Sequence, residues 1–159
     1  GKMILIEPEY MLTPASKMIG LDGQKMSKSY NNTISLREAP NEIEKKIRTM
    51  PTDPARIRRT DPGDPKNCPV WQLHAVYSDD KTKEWVEHGC KNADIGCIEC
   101  KQPAIESILK ELKPIQERAN HYIDSPDVVK SVVAEGCEKA RKLARDTMRD
   151  VREVMGVNF

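Results

Sequence analysis

Beyond residue 69, every apolar run in this chain repeats at helical spacing, and that restricts the fold more than any other feature. Pro103 to about Asp124 carries Ile105, Ile108, Leu109, Leu112, Ile115, Ala119 and Ile123. Such positions gather on one face of a helix of 3.6 residues per turn. Pro114 lies inside the run and is expected to kink or split it. A last helix opens with Ser125 as N-cap, Pro126 at the first position and Asp127 in the first turn. It continues through Val129, Val132, Val133, Ala140, Ala144, Met148 and Val151 to a stop near Gly156. Shorter helices are expected over 70–77 and 81–88. The expected fold after residue 69 is an α-helical bundle.

Upstream, only Met3-Ile4-Leu5-Ile6 reads as a strand, apolar, partly β-branched and closed by Glu7-Pro8-Glu9. No second strand follows, so the expectation is a remnant strand of a sheet whose other members are not in this chain. Gly20-Leu21-Asp22-Gly23 breaks the chain, and a polar loop runs to Asn32. Pro40 to Met50 reads as a helix with Asn41 and Glu44 as a capping box and Ile43, Ile47 and Met50 on one face. Pro51, Pro54, Pro62, Gly63, Pro65 and Pro69 then predict an extended, stiffened connector and a domain boundary.

Charge offers a weak hint. The net charge is +1, which does not itself advertise nucleic-acid binding. Between Lys25 and Lys66, however, ten Lys/Arg face six Asp/Glu, so a phosphate-rich partner has somewhere to sit. No stretch approaches the roughly 18 apolar residues of a membrane span. The Met3–Ile6 run is too short for the core of a signal peptide.

Lys25-Met26-Ser27-Lys28-Ser29 places two ammonium groups and two hydroxyls on a loop behind Gly-x-x-Gly. Lysines supply mobile charge, while hydroxyls and loop amides supply short hydrogen bonds. That set suits a triphosphate whose leaving pyrophosphate gains charge in the transition state. Cys68, Cys90, Cys97 and Cys100 form a C-x21-C-x6-C-x2-C pattern, with glycine beside two of the thiols in Gly89-Cys90 and Gly96-Cys97. The spacing leaves an iron–sulfur cluster, a zinc ion and no metal all open. Cys137, alone on the last helix, reads as a buried small hydrophobe.

The pentapeptide, led by Gly-Leu-Asp-Gly-Gln and followed by Tyr30-Asn31-Asn32, resembles the second signature loop of class I aminoacyl-tRNA synthetases. The Gly-x-Asp-Gly lead-in resembles the tryptophanyl and tyrosyl branch, and the segments Thr52-Asp53-Pro54 and Thr60-Asp61-Pro62-Gly63-Asp64-Pro65 resemble its tryptophanyl members in their bacterial form. The resemblance implies the C-terminal half of such an enzyme. Residues 1–38 would then end the Rossmann-type catalytic domain with its KMSKS loop, and 39–159 would form an α-helical anticodon-recognition domain. It implies catalytic roles for Lys25 and Lys28, with Met26, Ser27 and Ser29 also at the nucleotide and Asp22 ordering the loop. The cysteine pattern is similar to that of a subset of these enzymes carrying a [4Fe-4S] cluster, which implies Cys68, Cys90, Cys97 and Cys100 as ligands. His88 is a substitute ligand if the metal is zinc.

The implied substrates are ATP with Mg2+, L-tryptophan and tRNA(Trp). The implied assembly is a cytoplasmic homodimer formed through an N-terminal domain. No His-x-Gly-His motif surrounds His74, His88 or His121, so the chain alone is expected to be inactive. Lys101, Gln102, Arg56, Arg58 and Arg59 are candidate RNA contacts. The alternatives are a tyrosyl-tRNA synthetase fragment and a non-catalytic metal-cluster RNA-binding module.

Overall fold

The computed structural model describes residues 3–13 and 15–157. Among the described residues five α-helices follow one another: α1 Pro40–Thr49, α2 Pro69–Tyr77, α3 Asp80–Lys91, α4 Cys97–Ile123 and α5 Pro126–Met155. Two single turns of 3-10 helix, Lys28–Tyr30 and Pro65–Asn67, sit in the connections. The architecture is mainly α, as the apolar spacing predicts. The chain divides into two compact units, one spanning Thr13–Arg118 and the other combining residues before Thr13 with those from Ala119 onward. The expected boundary between residues 38 and 39 falls inside the first unit.

The core of that unit is one cluster. α1 and its C-cap give Ile43, Ile47 and Met50, α2 gives Val70 and Leu73, and α4 gives Ala104, Ile105, Ile108 and Leu112. Each large side chain fully removed from water contributes about 1.5–3 kcal/mol. Met18, Leu21 and Ile34 pack against the cluster, which anchors the segment before α1 to the helices.

Several expectations change. Met3–Ile6 is irregular and largely exposed, with Ile4 half-buried and Ile6 at 89%. A strand needs a partner for its backbone groups, and the one β pairing among the described residues is the isolated antiparallel bridge Ile19–Lys25. α1 is capped by Ala39 with Pro40 at its first position and has no side-chain cap. Glu44 instead pairs with Arg48, one turn on, at 2.8 Å. α4 begins at Cys97, six residues earlier than the periodicity indicates, and runs unbroken past both Pro103 and Pro114.

The proline-rich segment is folded into the unit rather than bridging two. Asp53 is buried and accepts backbone N–H groups from Ala55 (3.0 Å) and Asp64 (2.7 Å). α5 ends at Gly156 in the left-handed conformation, as predicted, but Ser125 makes no side-chain cap. None of its described residues is buried, and Cys137 is exposed rather than packed. The helices expected after residue 69 are all present as α2, α3, α4 and α5, and α1 joins α2 and α4 around the one core. Among the described residues, no helix is long and apolar enough to cross a membrane.

Candidate functional site: a lysine loop and a four-thiol cavity

The lysine loop is a tight, internally bonded turn. Gly20 N–H donates to the Gln24 carbonyl (2.7 Å), and Met26 N–H donates to the Met18 carbonyl (2.8 Å). Gly23 takes φ +81°, where a side chain would be strained. The hub is Asn32, 3% exposed. Its Nδ2 donates to Asp22 Oδ1 (2.8 Å) and the Lys25 carbonyl (3.2 Å), while its Oδ1 accepts Ser27 N–H (2.7 Å). Its own carbonyl accepts Leu21 N–H at 2.9 Å. The Asn32 contact, joined by Gln24 N–H, holds the Asp22 carboxyl below its ordinary pKa. Asp22 thus orders the loop, as the sequence suggests. Asn32 is a hub that the sequence reading does not single out, although it stands three residues after the signature run. Gly20 leaves it room, since a Cβ there would lie 2.4 Å from Asn32 Nδ2.

This scaffold presents Lys25, Lys28 and Ser29 to solvent. Ser27 Oγ and Ser29 Oγ lie 2.8 Å apart. Among the described residues, neither lysine has an ion-pair partner, so both ammonium groups are free for an anion. Met26 points elsewhere. It lines an apolar cavity of about 150 Å³ with Leu73 and Tyr77 of α2 and Ile108 and Leu112 of α4.

The four cysteines come from three elements, yet line one small cavity with Thr52, Asp53, Arg56 and Val70. Cys68 caps α2, Cys90 lies in the last turn of α3, and Cys97 and Cys100 occupy the first turn of α4. About 20 Å³ of the cavity is open. Among the described residues, no three His, Cys, Asp or Glu side chains stand at the spacing of ligands to one ion. Burial, reinforced by the Cys68, Cys90 and Cys97 sulfurs, pushes the Cys100 thiol up to about 12. Burial also raises Cys90, against the opposing pull of the Arg56 guanidinium. Thiols so placed stay protonated unless a cation among them stabilises the thiolates.

Arg56 is the polar wall of this cavity and is 8% exposed. It donates to the carbonyls of Arg59 (2.9 Å) and Ile95 (2.5 Å), with Nη1 3.9 Å from Cys90 Sγ. Its Nε is buried without a partner, a cost the unit carries beside four sulfurs. Gly63 closes another side, where a Cβ would come within 2.7 Å of Cys90 Sγ. Neither residue is a ligand candidate by type, so spacing rules pass over both. His88 is exposed, 3.7 Å from Asp94, and does not line the cavity.

Two RNA-contact candidates are structural instead. Lys101 is buried and holds the end of α1, and Arg56 belongs to the thiol cavity. Gln102 is bonded to Arg48 and Glu106. Arg58 and Arg59 remain on the surface, Arg59 paired with Glu99 at 3.1 Å.

A profile of the family "tRNA synthetases class I (W and Y)" matches residues 1–113. The chain belongs to this family. Its similarity to tryptophan–tRNA ligases extends further along the sequence. It is 61% identical over 158 residues to that of Ralstonia nicotianae, covering 99% of this chain and 40% of the relative. The Thermotoga maritima ligase is 44% identical over 154 residues, covering 96% and 47%. The tryptophanyl-tRNA synthetase of Campylobacter jejuni, solved with ADP and tryptophan, superposes with a TM-score of 0.74 at 27% identity. That match covers 96% of this chain and 48% of the solved one. This synthetase-family chain thus spans less than half the length of the curated relatives it matches.

Proposed function

We propose that the chain is the C-terminal part of a tryptophan–tRNA ligase, supplying the ATP-facing loop and a metal-bearing helical region that meets tRNA(Trp). The observation that carries the reading is the lysine loop, in which a saturated Asn32 network leaves Lys25 and Lys28 unpaired on a fixed turn. In the full enzyme these ammonium groups, the Ser27 and Ser29 hydroxyls and the Met26 backbone bind the triphosphate of Mg2+-ATP. Attack of the tryptophan carboxylate on the α-phosphorus expels pyrophosphate, and Lys28 stabilises the charge that grows there. The amino-acid pocket, the other signature motif and the homodimer contact belong to the remaining part of the enzyme, which works in the cytoplasm.

Lys28→Ala in the full enzyme tests this. Losing one such contact costs about 100- to 1000-fold in rate, and kcat should fall more than KM for ATP rises. Tryptophan activation at the wild-type rate refutes the assignment. This chain alone should give only background tryptophan-dependent ATP–pyrophosphate exchange.

The second site is read as one for a thiol-ligated metal group, on the chemistry of its lining: four cysteines border one cavity, a buried guanidinium offers an unused N–H, and Gly63 leaves space at Cys90. Cys68, Cys90, Cys97 and Cys100 would hold a [4Fe-4S] cluster, whose thiolate-rich core carries negative charge that Arg56 offsets. When bound, the group clamps the α3–α4 turn onto the segment before α2. A single zinc ion is the second reading, favoured by the smallness of the cavity. Iron, sulfide and zinc analysis of anaerobically prepared protein separates the two.

A further inference from the structure

The other side of the thiol cavity holds a group that the ligand pattern does not use. His74 on α2 is fully buried and one of the largest side chains in the core. Its Nε2 lies 3.0 Å from the Cys100 carbonyl and 3.6 Å from Cys100 Sγ. Its Nδ1 lies 2.8 Å from Ser78 Oγ, one turn on. A carbonyl can only accept, so Nε2 carries the hydrogen, and in the neutral ring Nδ1 must then accept from the Ser78 hydroxyl. The tautomer is thereby fixed, with one N–H aimed at the backbone and sulfur of Cys100.

We propose that His74 is the outer hydrogen-bond donor of the thiol site, holding the Cys100 sulfur in its ligating orientation. The inference rests on the metal reading above. A thiolate is a better acceptor than a thiol, so the Nε2–H contact strengthens when Cys100 ligates a metal. Outer partners of this kind orient ligands, and their loss costs about 10- to 100-fold in metal affinity. Ser78 is part of the device because it fixes which ring nitrogen donates.

The test is chelator competition on wild type, His74→Gln and His74→Leu, each loaded with ferrous iron and sulfide or with zinc. The glutamine amide brings an N–H to the place of Nε2 and should retain metal nearly as well as wild type. His74→Leu should lose it at least about tenfold more readily. Equal retention by all three overturns the proposal. Where His74→Leu does not fold, pulsed EPR of the reduced, iron-loaded wild type grown on [15N]histidine decides. A weak 15N coupling from one histidine supports the contact, and its absence overturns it. Failure of wild type to retain either metal instead marks the metal reading itself as wrong, and the proposal falls with it.

Discussion

Replacing Lys101 by Met tests how buried charge holds this unit together. The Lys101 side chain is 3% exposed, and its Nζ donates to the carbonyls of Arg48 and Met50, each at 2.7 Å. Those carbonyls end α1, where the helix has no further N–H groups to offer and its dipole favours a cation. Burial lowers the lysine pKa, while the Cys97, Cys68 and Cys100 sulfurs oppose that shift. Hydrogen bonds from a charged donor are worth about 1.5–3 kcal/mol each, and a buried acceptor left bare costs about 1–3 kcal/mol. Against this, methionine removes the cost of burying an ammonium group, several kcal/mol in general. The two effects leave a net loss of about 2–4 kcal/mol. For a unit of about 100 residues each kcal/mol moves Tm by roughly 4–8 °C, so Tm should fall by about 8–32 °C. Urea unfolding should show a lower midpoint at unchanged slope. A midpoint matching wild type within about 0.5 kcal/mol, together with weakened RNA binding, would refute the strut and restore Lys101 as an RNA contact.

Two further perturbations probe the same unit. Gly63→Ala pushes a Cβ toward Cys90 Sγ at 2.7 Å, so iron or zinc content after loading should drop while far-UV circular dichroism stays near wild type. Asp53 is held below its ordinary pKa by the Asp64 N–H, then the Ala55 N–H. Its stabilisation is therefore complete above about pH 3.9 and disappears as pH falls through the depressed folded value. Asp53→Asn should flatten the acid limb of the stability–pH curve, and an unchanged limb would exclude Asp53 as its source.

The helices were legible because their apolar positions repeat with the period of the structure, as in the Ile43, Ile47 and Met50 stripe that becomes core. The failures have different causes. Met3–Ile6 has the composition of a strand, but strand formation depends on a partner that local sequence does not supply. Pro103 signals a helix start and Pro114 a break, yet α4 runs through both, its middle held by Ala104, Ile105, Ile108 and Leu112 against α1 and α2. Chemistry-bearing residue types were visible at both sites. Their supports, Asn32, Gly63 and His74, were not, because each matters through contacts with residues 10 to 27 positions away.

The loop and the thiol cavity are joined by α4, which the sequence placed beyond a stiff connector from the loop. The first turn of α4 carries Cys97 and Cys100. Ile108 and Leu112, further along, line the cavity that Met26 enters from the loop. Gln116 then donates to the carbonyls of Leu36 (3.2 Å) and Glu38 (3.0 Å), just after the loop. All of these residues lie in the Thr13–Arg118 unit. Fixing the first turn of one helix removes freedom from whatever is packed along it. Loading the thiol site with metal should therefore slow amide exchange at Ser27 and Leu21, whose N–H groups the Asn32 network holds. Gln116→Ala, which frees the segment after the loop but touches neither site, should reduce that protection. Spatial continuity alone is not coupling, and the exchange difference is the measurement that separates them. Identical exchange in loaded and metal-free protein would mean that the helix joins the two sites without communicating between them.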